Sequence, residues 1–147
     1  MPTKSSLLEF WTRNRIITDK KLLEEFRKIP RENFIPKNMK EEAYEDIPLP
    51  IGEGQTISQP TTVMLMTQAL ELKPGEKVLE VGTCSGYQAA IIAEMVGKKG
   101  KVITTEIIPA LIEMANKNLK KLSIKNVHIL NTDGSLGYEK EAPYDKI

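Results

Sequence analysis

The stretch that most constrains the fold is residues 77–90, Lys-Val-Leu-Glu-Val-Gly-Thr-Cys-Ser-Gly-Tyr-Gln-Ala-Ala. Residues 78–81 are apolar except for one Glu and rich in β-branched side chains, which predicts a short buried strand. Gly82 and Gly86 then bracket a tight turn, and apolar residues recur at helical spacing over 86–96. A strand, a glycine turn and a helix in this order direct backbone N–H groups at one spot beyond the sheet, which suits a strongly polar part of a cofactor.

The same alternation continues to the end of the chain. The pattern predicts a strand over 102–105, a helix over 109–121, a strand over 127–130 and the start of a fourth strand at 144–147. Strands that alternate with helices predict an α/β fold with a parallel sheet. Because the sequence stops within a predicted strand, we expect a sheet that is incomplete at its C-terminal end. Its exposed edge would favour self-association or a covering partner.

The first half of the chain is predicted to be helical, with a long loop. Helices are expected over 5–14 and 19–28, and a third begins at Pro60. Ser6 with Glu9 is predicted to form a capping box in the first helix, and Thr18 is predicted to cap the second. Phe10 is expected on the packed face of the first helix and Met66 on that of the third. Segment 30–50 is expected to be irregular and segment 51–60 to be a loop, because prolines and glycines are frequent there. We therefore divide one structural domain into a helical region with a loop, 1–76, and the first half of an α/β sheet, 77–147.

Composition narrows the classes of function. The net charge of +1 gives no global attraction to nucleic acid or membranes, and no apolar run reaches the length of a membrane span. The N-terminus lacks the apolar core of a secretory signal. One Cys and one His argue against a disulfide and against a metal site. We expect a cytoplasmic protein without a nucleic-acid or membrane partner.

Polar residues follow three successive predicted strands. The glycine turn follows the first, Glu106 follows the second, and Asp133 with Gly134 follows the third. Such a Glu can accept hydrogen bonds from both ribose hydroxyls of a nucleoside cofactor. The Asp could accept the adenine amino group, although taken alone it predicts an Asx turn. Since parallel strands end at one rim, we expect these loops to converge on one crevice.

Two cofactor classes compete for this crevice. The dinucleotide fingerprint requires Gly-x-Gly-x-x-Gly so that the chain can approach a pyrophosphate, but Cys84 occupies the place of the middle glycine. S-adenosylmethionine carries no phosphate and tolerates a less open turn, and Glu80 suits its cationic end. The residues therefore favour S-adenosylmethionine, and an NAD-dependent oxidoreductase stays as an alternative.

Two longer segments carry a family resemblance. Residues 44–60, Tyr-Glu-Asp-Ile-Pro-Leu-Pro-Ile-Gly-Glu-Gly-Gln-Thr-Ile-Ser-Gln-Pro, and residues 78–90 resemble protein-L-isoaspartate O-methyltransferases. Segments 30–34, 133–134 and 141–145 are also similar, so the resemblance runs from about residue 7 to the end. The combination of the Gln-Thr-Ile-Ser-Gln-Pro loop with the Ser-Gly-Tyr-Gln-Ala-Ala turn is specific, because other methyltransferases share only the glycine turn.

The resemblance implies a Rossmann-like S-adenosylmethionine-dependent methyltransferase fold and a repair reaction. A methyl group would pass to the free α-carboxyl of an L-isoaspartyl residue in a damaged protein or peptide, and the ester would close to a succinimide. The carboxyl is ionised at pH 7, so no general base is needed. Ser58 would be the hydroxyl nearest the transferred methyl. The cofactor would be bound by a set from four loops: Ile57, Gln59, Glu80, Gly82, Thr83, Ser85, Gly86, Glu106, Ile107, Asp133 and Gly134.

Two departures from the family pattern leave alternatives open. Cys84 stands where the family usually has glycine, and a positive φ there would strain the backbone; we expect a small buried side chain rather than a nucleophile. The family also continues beyond the point where this sequence stops. A fragment that keeps only the fold or cofactor binding is therefore a second hypothesis. A tRNA methyltransferase is a further one, disfavoured by the lack of a basic stripe.

Overall fold

A parallel sheet with helices along the chain forms the framework, in a computed structural model that describes residues 2–147. The ordered elements are α1 (Lys4–Arg13), α2 (Lys20–Lys28), β1 (Leu49–Gly52), β2 (Gln55–Ile57), α3 (Pro60–Ala69), β3 (Lys77–Val81), α4 (Tyr87–Val96), β4 (Lys101–Glu106), α5 (Pro109–Lys121) and β5 (Val127–Asn131). Short 3-10 turns lie at Arg31–Asn33, Lys37–Glu42 and Glu139–Glu141. None of the helices in 2–147 has the length and apolar character needed to cross a bilayer.

The sheet has the strand order β3-β4-β5, and both pairs are parallel and in continuous register. The predicted α/β class and each predicted strand and helix from residue 78 onward are therefore confirmed, with ends that differ by one residue at most. The segment expected to begin a fourth strand forms a parallel bridge between Lys146 and Val78. There the Leu79 amide donates to the Lys146 carbonyl at 3.0 Å and the Asp145 amide to the Lys77 carbonyl at 2.8 Å. The outer edge of β3 is thus paired at this point, and self-association through the sheet edge stays a prediction.

One apolar core joins the helical region to α4. Trp11 and Phe26 are both 0% exposed, and their rings meet edge to face with centroids 4.7 Å apart. Ile91 and Met95 of α4 belong to the same cluster. Burial of aromatic side chains of this size contributes strongly to folding stability, so this core holds α1 and α2 against α4.

Several local predictions in the helical region are wrong. Phe10 was expected on the buried stripe of α1, but it is 49% exposed. Met66 was expected on the buried face of α3, yet it is 56% exposed while Met64 is fully buried. Each helix buries a single stripe, Leu7, Leu8 and Trp11 in α1 and Pro60, Val63, Met64 and Thr67 in α3, and this stripe is rotated from the predicted one.

The predicted helix caps are shifted by one to three residues. Thr3, rather than Ser6, is the N-cap of α1, with Ser6 completing the capping box. Asp19, rather than Thr18, caps α2 by accepting the Leu22 amide. Segment 51–60 was expected to be a loop, but most of it belongs to the antiparallel hairpin β1–β2. Pro60 begins α3 as predicted.

Candidate active site

The glycine turn is held against the C-terminal end of β4 by main-chain hydrogen bonds. The amides of Gly82 and Thr83 both donate to the Thr105 carbonyl, at 2.9 and 3.0 Å. The Cys84 amide donates to Oε2 of Glu106 at 3.0 Å. Several amides that the sequence predicted to be free for a cofactor are therefore satisfied within the protein, which corrects that expectation.

Gly86 closes the turn and is the N-cap of α4, with φ of +83°. A Cβ at this position would meet the Ala115 Cβ at 3.2 Å, so both the backbone conformation and the packing require glycine. Among the residues that the structure describes, no side chain caps α4, so its first amides remain available to a polar ligand. Asn118 of α5 is buried and donates to the Ser85 carbonyl at 3.0 Å, which holds the turn from the other side.

Glu106 accepts hydrogen bonds both from the glycine turn and from the residues that follow β4. The residue is 6% exposed, and its Oε1 accepts hydrogen bonds from the amides of Ile107 and Ile108 at 2.9 and 3.0 Å. Together with the bond from Cys84, three of about four acceptor positions of a carboxylate are occupied. One acceptor position is left for a ligand hydroxyl beside the side chain of Ile107, which is 64% exposed.

Glu80 lies at the end of β3 within a chain of hydroxyl groups. Its Oε1 accepts from the Thr104 hydroxyl at 2.6 Å, and that hydroxyl lies 2.7 Å from the Thr83 hydroxyl. Burial raises the pKa of Glu80 to about 7; the hydrogen bond from Thr104 opposes this, and the neighbouring Glu106 adds to it. The Thr83 hydroxyl is thus turned into the sheet.

The loop after β2 carries the predicted catalytic residue. Ile57 is 4% exposed, whereas Ser58 is exposed and Gln59 is half-buried. The Ser58 carbonyl accepts a hydrogen bond from Nη2 of Arg31 at 2.8 Å. Arg31 was not singled out from the sequence; the only available signal was its place in the family-like segment 30–34.

A second group of hydrogen bonds fixes the end of this loop at the start of α3. Asp46 accepts the Thr61 amide at 2.8 Å and the Thr61 hydroxyl at 2.6 Å. The indole N–H of Trp11 donates to the same hydroxyl at 2.7 Å. Asp46 therefore satisfies an amide at the N-terminus of α3 in place of a local cap.

The Ser58 loop and the glycine turn line one small cavity of about 80 Å³. Six predicted site residues are among its walls: Ile57, Ser58, Glu80, Gly82, Thr83 and Ser85. Gly86 and Glu106 do not line the cavity, but each is hydrogen-bonded to a residue that does: the Gly86 amide donates to the Thr83 carbonyl at 2.8 Å, and Glu106 accepts the Cys84 amide. Gln59, Ile107, Asp133 and Gly134 are not among the lining residues.

Asp133 forms the Asx turn that its sequence alone predicted. Its Oδ1 accepts the Ser135 amide at 2.8 Å, and the side chain is exposed. Gly134 is buried against the ends of two strands, where a Cβ would overlap the Thr105 hydroxyl and lie 3.0 Å from Val81 Cγ1. The third loop therefore lies at the same end of the sheet as the glycine turn, with its carboxyl towards solvent.

Cys84 has φ of +50°, the strained conformation that its departure from glycine predicted. The side chain is half-buried and packs on the main core. Burial, followed by the charges of Glu106 and Glu80, raises the pKa of its thiol, so the thiolate is disfavoured. The side chain is thus suited to packing rather than to nucleophilic attack.

Comparison with known proteins identifies the family to which the chain is similar. A model of the protein-L-isoaspartate(D-aspartate) O-methyltransferase family matches residues 2–147. The chain is 56% identical over 135 residues to protein-L-isoaspartate O-methyltransferase 2 of Archaeoglobus fulgidus, covering 92% of this chain and 62% of the relative. It is 47% identical over 144 residues to the Methanoculleus marisnigri enzyme, covering 98% of this chain and 64% of that one. The chain thus spans less than two thirds of the length of these curated relatives.

Solved structures of protein-L-isoaspartate O-methyltransferases support the same family assignment. A protein-L-isoaspartate O-methyltransferase structure superposes with a TM-score of 0.83 at 31% identity, over 97% of this chain and 46% of that chain. A second one, from Plasmodium falciparum in complex with S-adenosyl-L-homocysteine, has a TM-score of 0.77 at 31% identity, over 90% of this chain and 64% of that chain. Together with the family match over residues 2–147, this similarity shows that the chain belongs to the protein-L-isoaspartate(D-aspartate) O-methyltransferase family.

Proposed function

We propose that this protein transfers a methyl group from S-adenosylmethionine to the free α-carboxyl of L-isoaspartyl residues in damaged proteins and peptides. The observation that carries the proposal is the cavity shared by Ser58 and the glycine turn, which brings a substrate-side hydroxyl next to cofactor-side groups. The family match, and the S-adenosyl-L-homocysteine bound to the Plasmodium falciparum relative, support the same assignment. A cytoplasmic location remains a prediction.

The residues present fit the cofactor. Glu80 offers a carboxylate to a cationic amino acid end, and α4 has no side-chain cap in the described part of the chain. Glu106 keeps one acceptor position for a ribose hydroxyl, and the exposed Ile107 adjoins it as an apolar surface for a base. Asp133 and Gly134 would hold the adenine edge, and Ile57 and Gln59 the junction of cofactor and peptide.

When bound, S-adenosylmethionine supplies an electrophilic methyl group on a positively charged sulfur. The α-carboxyl of the substrate has a pKa of about 3.5 and is already ionised at neutral pH, so the chain does not have to remove a proton. Ser58 donates a hydrogen bond that orients this carboxylate, and the buried Ile57 beside it excludes water. The chain therefore acts by alignment rather than by acid–base chemistry.

The test combines binding with turnover. Calorimetry should detect S-adenosyl-L-homocysteine but not NAD, and labelled methyl groups should appear in an isoaspartyl peptide but not in the aspartyl peptide of the same sequence. Ser58→Ala should lower the rate about a hundredfold with little change in cofactor affinity, whereas the exposed Ser5→Ala serves as a matched control. Cofactor binding without transfer would favour the binding-only fragment, and NAD binding would overturn the proposal.

A further inference from the structure

Arg31 is a fully buried cation that the proposed reaction does not use. It begins the 3-10 turn Arg31–Asn33 directly after Pro30 and is 0% exposed. No carboxylate lies within salt-bridge distance of it in the residues that the structure describes. Its Nε and Nη1 atoms are buried without a hydrogen-bond partner within residues 2–147. A buried charge without an ion pair destabilises the folded state, so the other contacts of the Arg31 side chain must offset this cost.

One of those contacts reaches the substrate side of the cavity. Nη2 donates to the Ser58 carbonyl at 2.8 Å. Hydrogen bonds with a charged donor are about twice as strong as neutral ones, and the donor side chain of this bond is fully buried. The backbone of Ser58, rather than its hydroxyl, is thus the group that Arg31 restrains, and the residue itself is exposed.

The other contact reaches the cofactor side. The guanidinium carbon lies 5.1 Å from the centroid of the Tyr87 ring. Tyr87 is the first residue of α4, immediately after Gly86, and its ring packs edge to face on Phe34 with centroids 5.2 Å apart. Its position is therefore determined by the glycine turn and by the core, and a guanidinium over an aromatic ring is attracted to it.

We propose that Arg31 is a positioning residue that holds the Ser58 backbone at a set distance from the start of α4. This inference rests on the proposed function, because the distance matters only if Ser58 orients a carboxylate against the cofactor. A guanidinium spans the two loops with one planar group and several donors, which an ammonium on a flexible stem does not reproduce. Since a misplacement of about 1 Å can cost about a hundredfold in rate, one such contact can control the reaction.

The anchoring can be observed without any activity. The dipeptide Ser-Gln occurs once in the sequence, at 58–59. Labelling Ser carbonyl carbons with ¹³C and Gln amides with ¹⁵N therefore gives one cross-peak that reports the Ser58 carbonyl. Arg31→Met should move this resonance in the direction of a lost hydrogen bond. An unchanged resonance in Arg31→Met would overturn the proposal, whatever the enzyme kinetics show.

Enzyme kinetics distinguish a role of Arg31 in positioning Ser58 from a role in binding the cofactor. In methyl transfer to the isoaspartyl peptide, Arg31→Met should lower kcat about a hundredfold and leave the KM for S-adenosylmethionine within about twofold. Arg31→Lys should recover part of kcat. The matched variant Asn118→Leu, which releases the Ser85 carbonyl on the cofactor side, should instead raise the KM for S-adenosylmethionine.

Folding and the proposed function have their own controls. The core variant Ile17→Val, at a site 1% exposed, measures how far a general loss of stability lowers kcat, and it should leave the Ser58 resonance in place. A shifted resonance with an unchanged kcat in Arg31→Met would overturn the positioning role. A wild-type protein that methylates no isoaspartyl peptide would overturn the proposed function itself. This activity is measured before any variant is made, so the two failures can be distinguished.

Discussion

The two loops that line the candidate site are held by different kinds of contact. The glycine turn is fixed by main-chain and carboxylate bonds to the end of β4, which is its neighbour in the sheet. The Ser58 loop is fixed by side chains that come from distant parts of the chain, Arg31 and Asp46 among them. The turn is therefore a product of the sheet, whereas the Ser58 loop depends on how the helical region packs.

Because the two loops have different supports, different substitutions should disturb them. Loss of one sheet-side group should disturb the turn and the cofactor site together, because they share the same hydrogen bonds. Loss of one side-chain anchor should loosen the Ser58 loop and leave the turn intact. Substitutions in each loop distinguish these two cases.

The largest effect is expected at Glu106. Glu106→Ala leaves the amides of Cys84, Ile107 and Ile108 without their acceptor, so the free energy of unfolding should fall by about 3 kcal/mol. Urea unfolding measures this loss. Glu113→Ala, on the exposed face of α5, should stay within about 0.5 kcal/mol of wild type. Equal stability of the two variants would show that the turn does not depend on the Glu106 carboxylate.

Gly86 tests the packing of the turn against α5. Gly86→Ala should lower the free energy of unfolding by about 2 kcal/mol, because it adds a contact with Ala115 to the strain of a positive φ. Gly75→Ala is the matched variant, since its φ is +89° and nothing lies within 4 Å of the added Cβ. It should cost about 1 kcal/mol from backbone strain alone. Equal losses would contradict the close approach of α5.

The raised pKa of Glu80 predicts a pH dependence of cofactor affinity. Glu80 titrates at about 7 when folded, so it is mostly protonated at pH 6 and mostly ionised at pH 8. The ionised form attracts a cationic ammonium, so affinity for S-adenosyl-L-homocysteine should rise about tenfold from pH 6 to pH 8. Calorimetry measures this change, and Glu80→Gln should abolish it. If the wild-type affinity did not vary with pH, the ammonium group of S-adenosyl-L-homocysteine would not bind at Glu80.

The same raised pKa also affects folding. The folded value lies above that of an unfolded Glu, so the folded state binds more protons between about pH 4.5 and pH 7. Stability from this group is complete below that window and is lost as the pH rises through it. In Glu80→Gln, this part of the pH dependence of unfolding should disappear.

Asp46 tests the other loop. Asp46→Ala removes the acceptor for the Thr61 amide and hydroxyl and should lower the free energy of unfolding by about 1 kcal/mol. Affinity for S-adenosyl-L-homocysteine should stay nearly constant, because the glycine turn has its own supports. Glu45→Ala, at the adjacent half-buried position, is the control. A loss of cofactor affinity in Asp46→Ala would mean that the two loops are not independently held.

The smallest effect is expected at Cys84. Cys84→Gly and Cys84→Ala both remove the thiol, but only Gly relieves the strain of φ at +50°. Because Gly also gains entropy in the unfolded chain, it should exceed Ala in stability by only about 0.5 kcal/mol. Thermal unfolding measures the difference. A more stable Ala variant would contradict backbone strain in the turn.

The elements of the sheet half, residues 77–147, could be predicted from local sequence patterns. Its apolar runs, helical spacings and the two glycines of the turn are local signals, so β3, α4, β4, α5 and β5 could be predicted within a residue. Gly82 and Gly86 were identified because they bracket a tight turn between a strand and a helix, and both have a positive φ in the structure. The Asx turn at Asp133 is equally local, because its bond spans two residues.

The way in which the helical half, residues 2–76, supports the site could be seen only in the folded structure. Phe10 and Met66 follow a helical stripe and are nonetheless exposed, because the neighbours that cover a helix are not encoded in its own period. The hydrogen bonds from Arg31 and Trp11 join residues that are 27 and 50 positions from their acceptors. Contacts of that range depend on the packed core, so a turn built on sheet neighbours can be predicted from sequence while a loop built on distant side chains cannot.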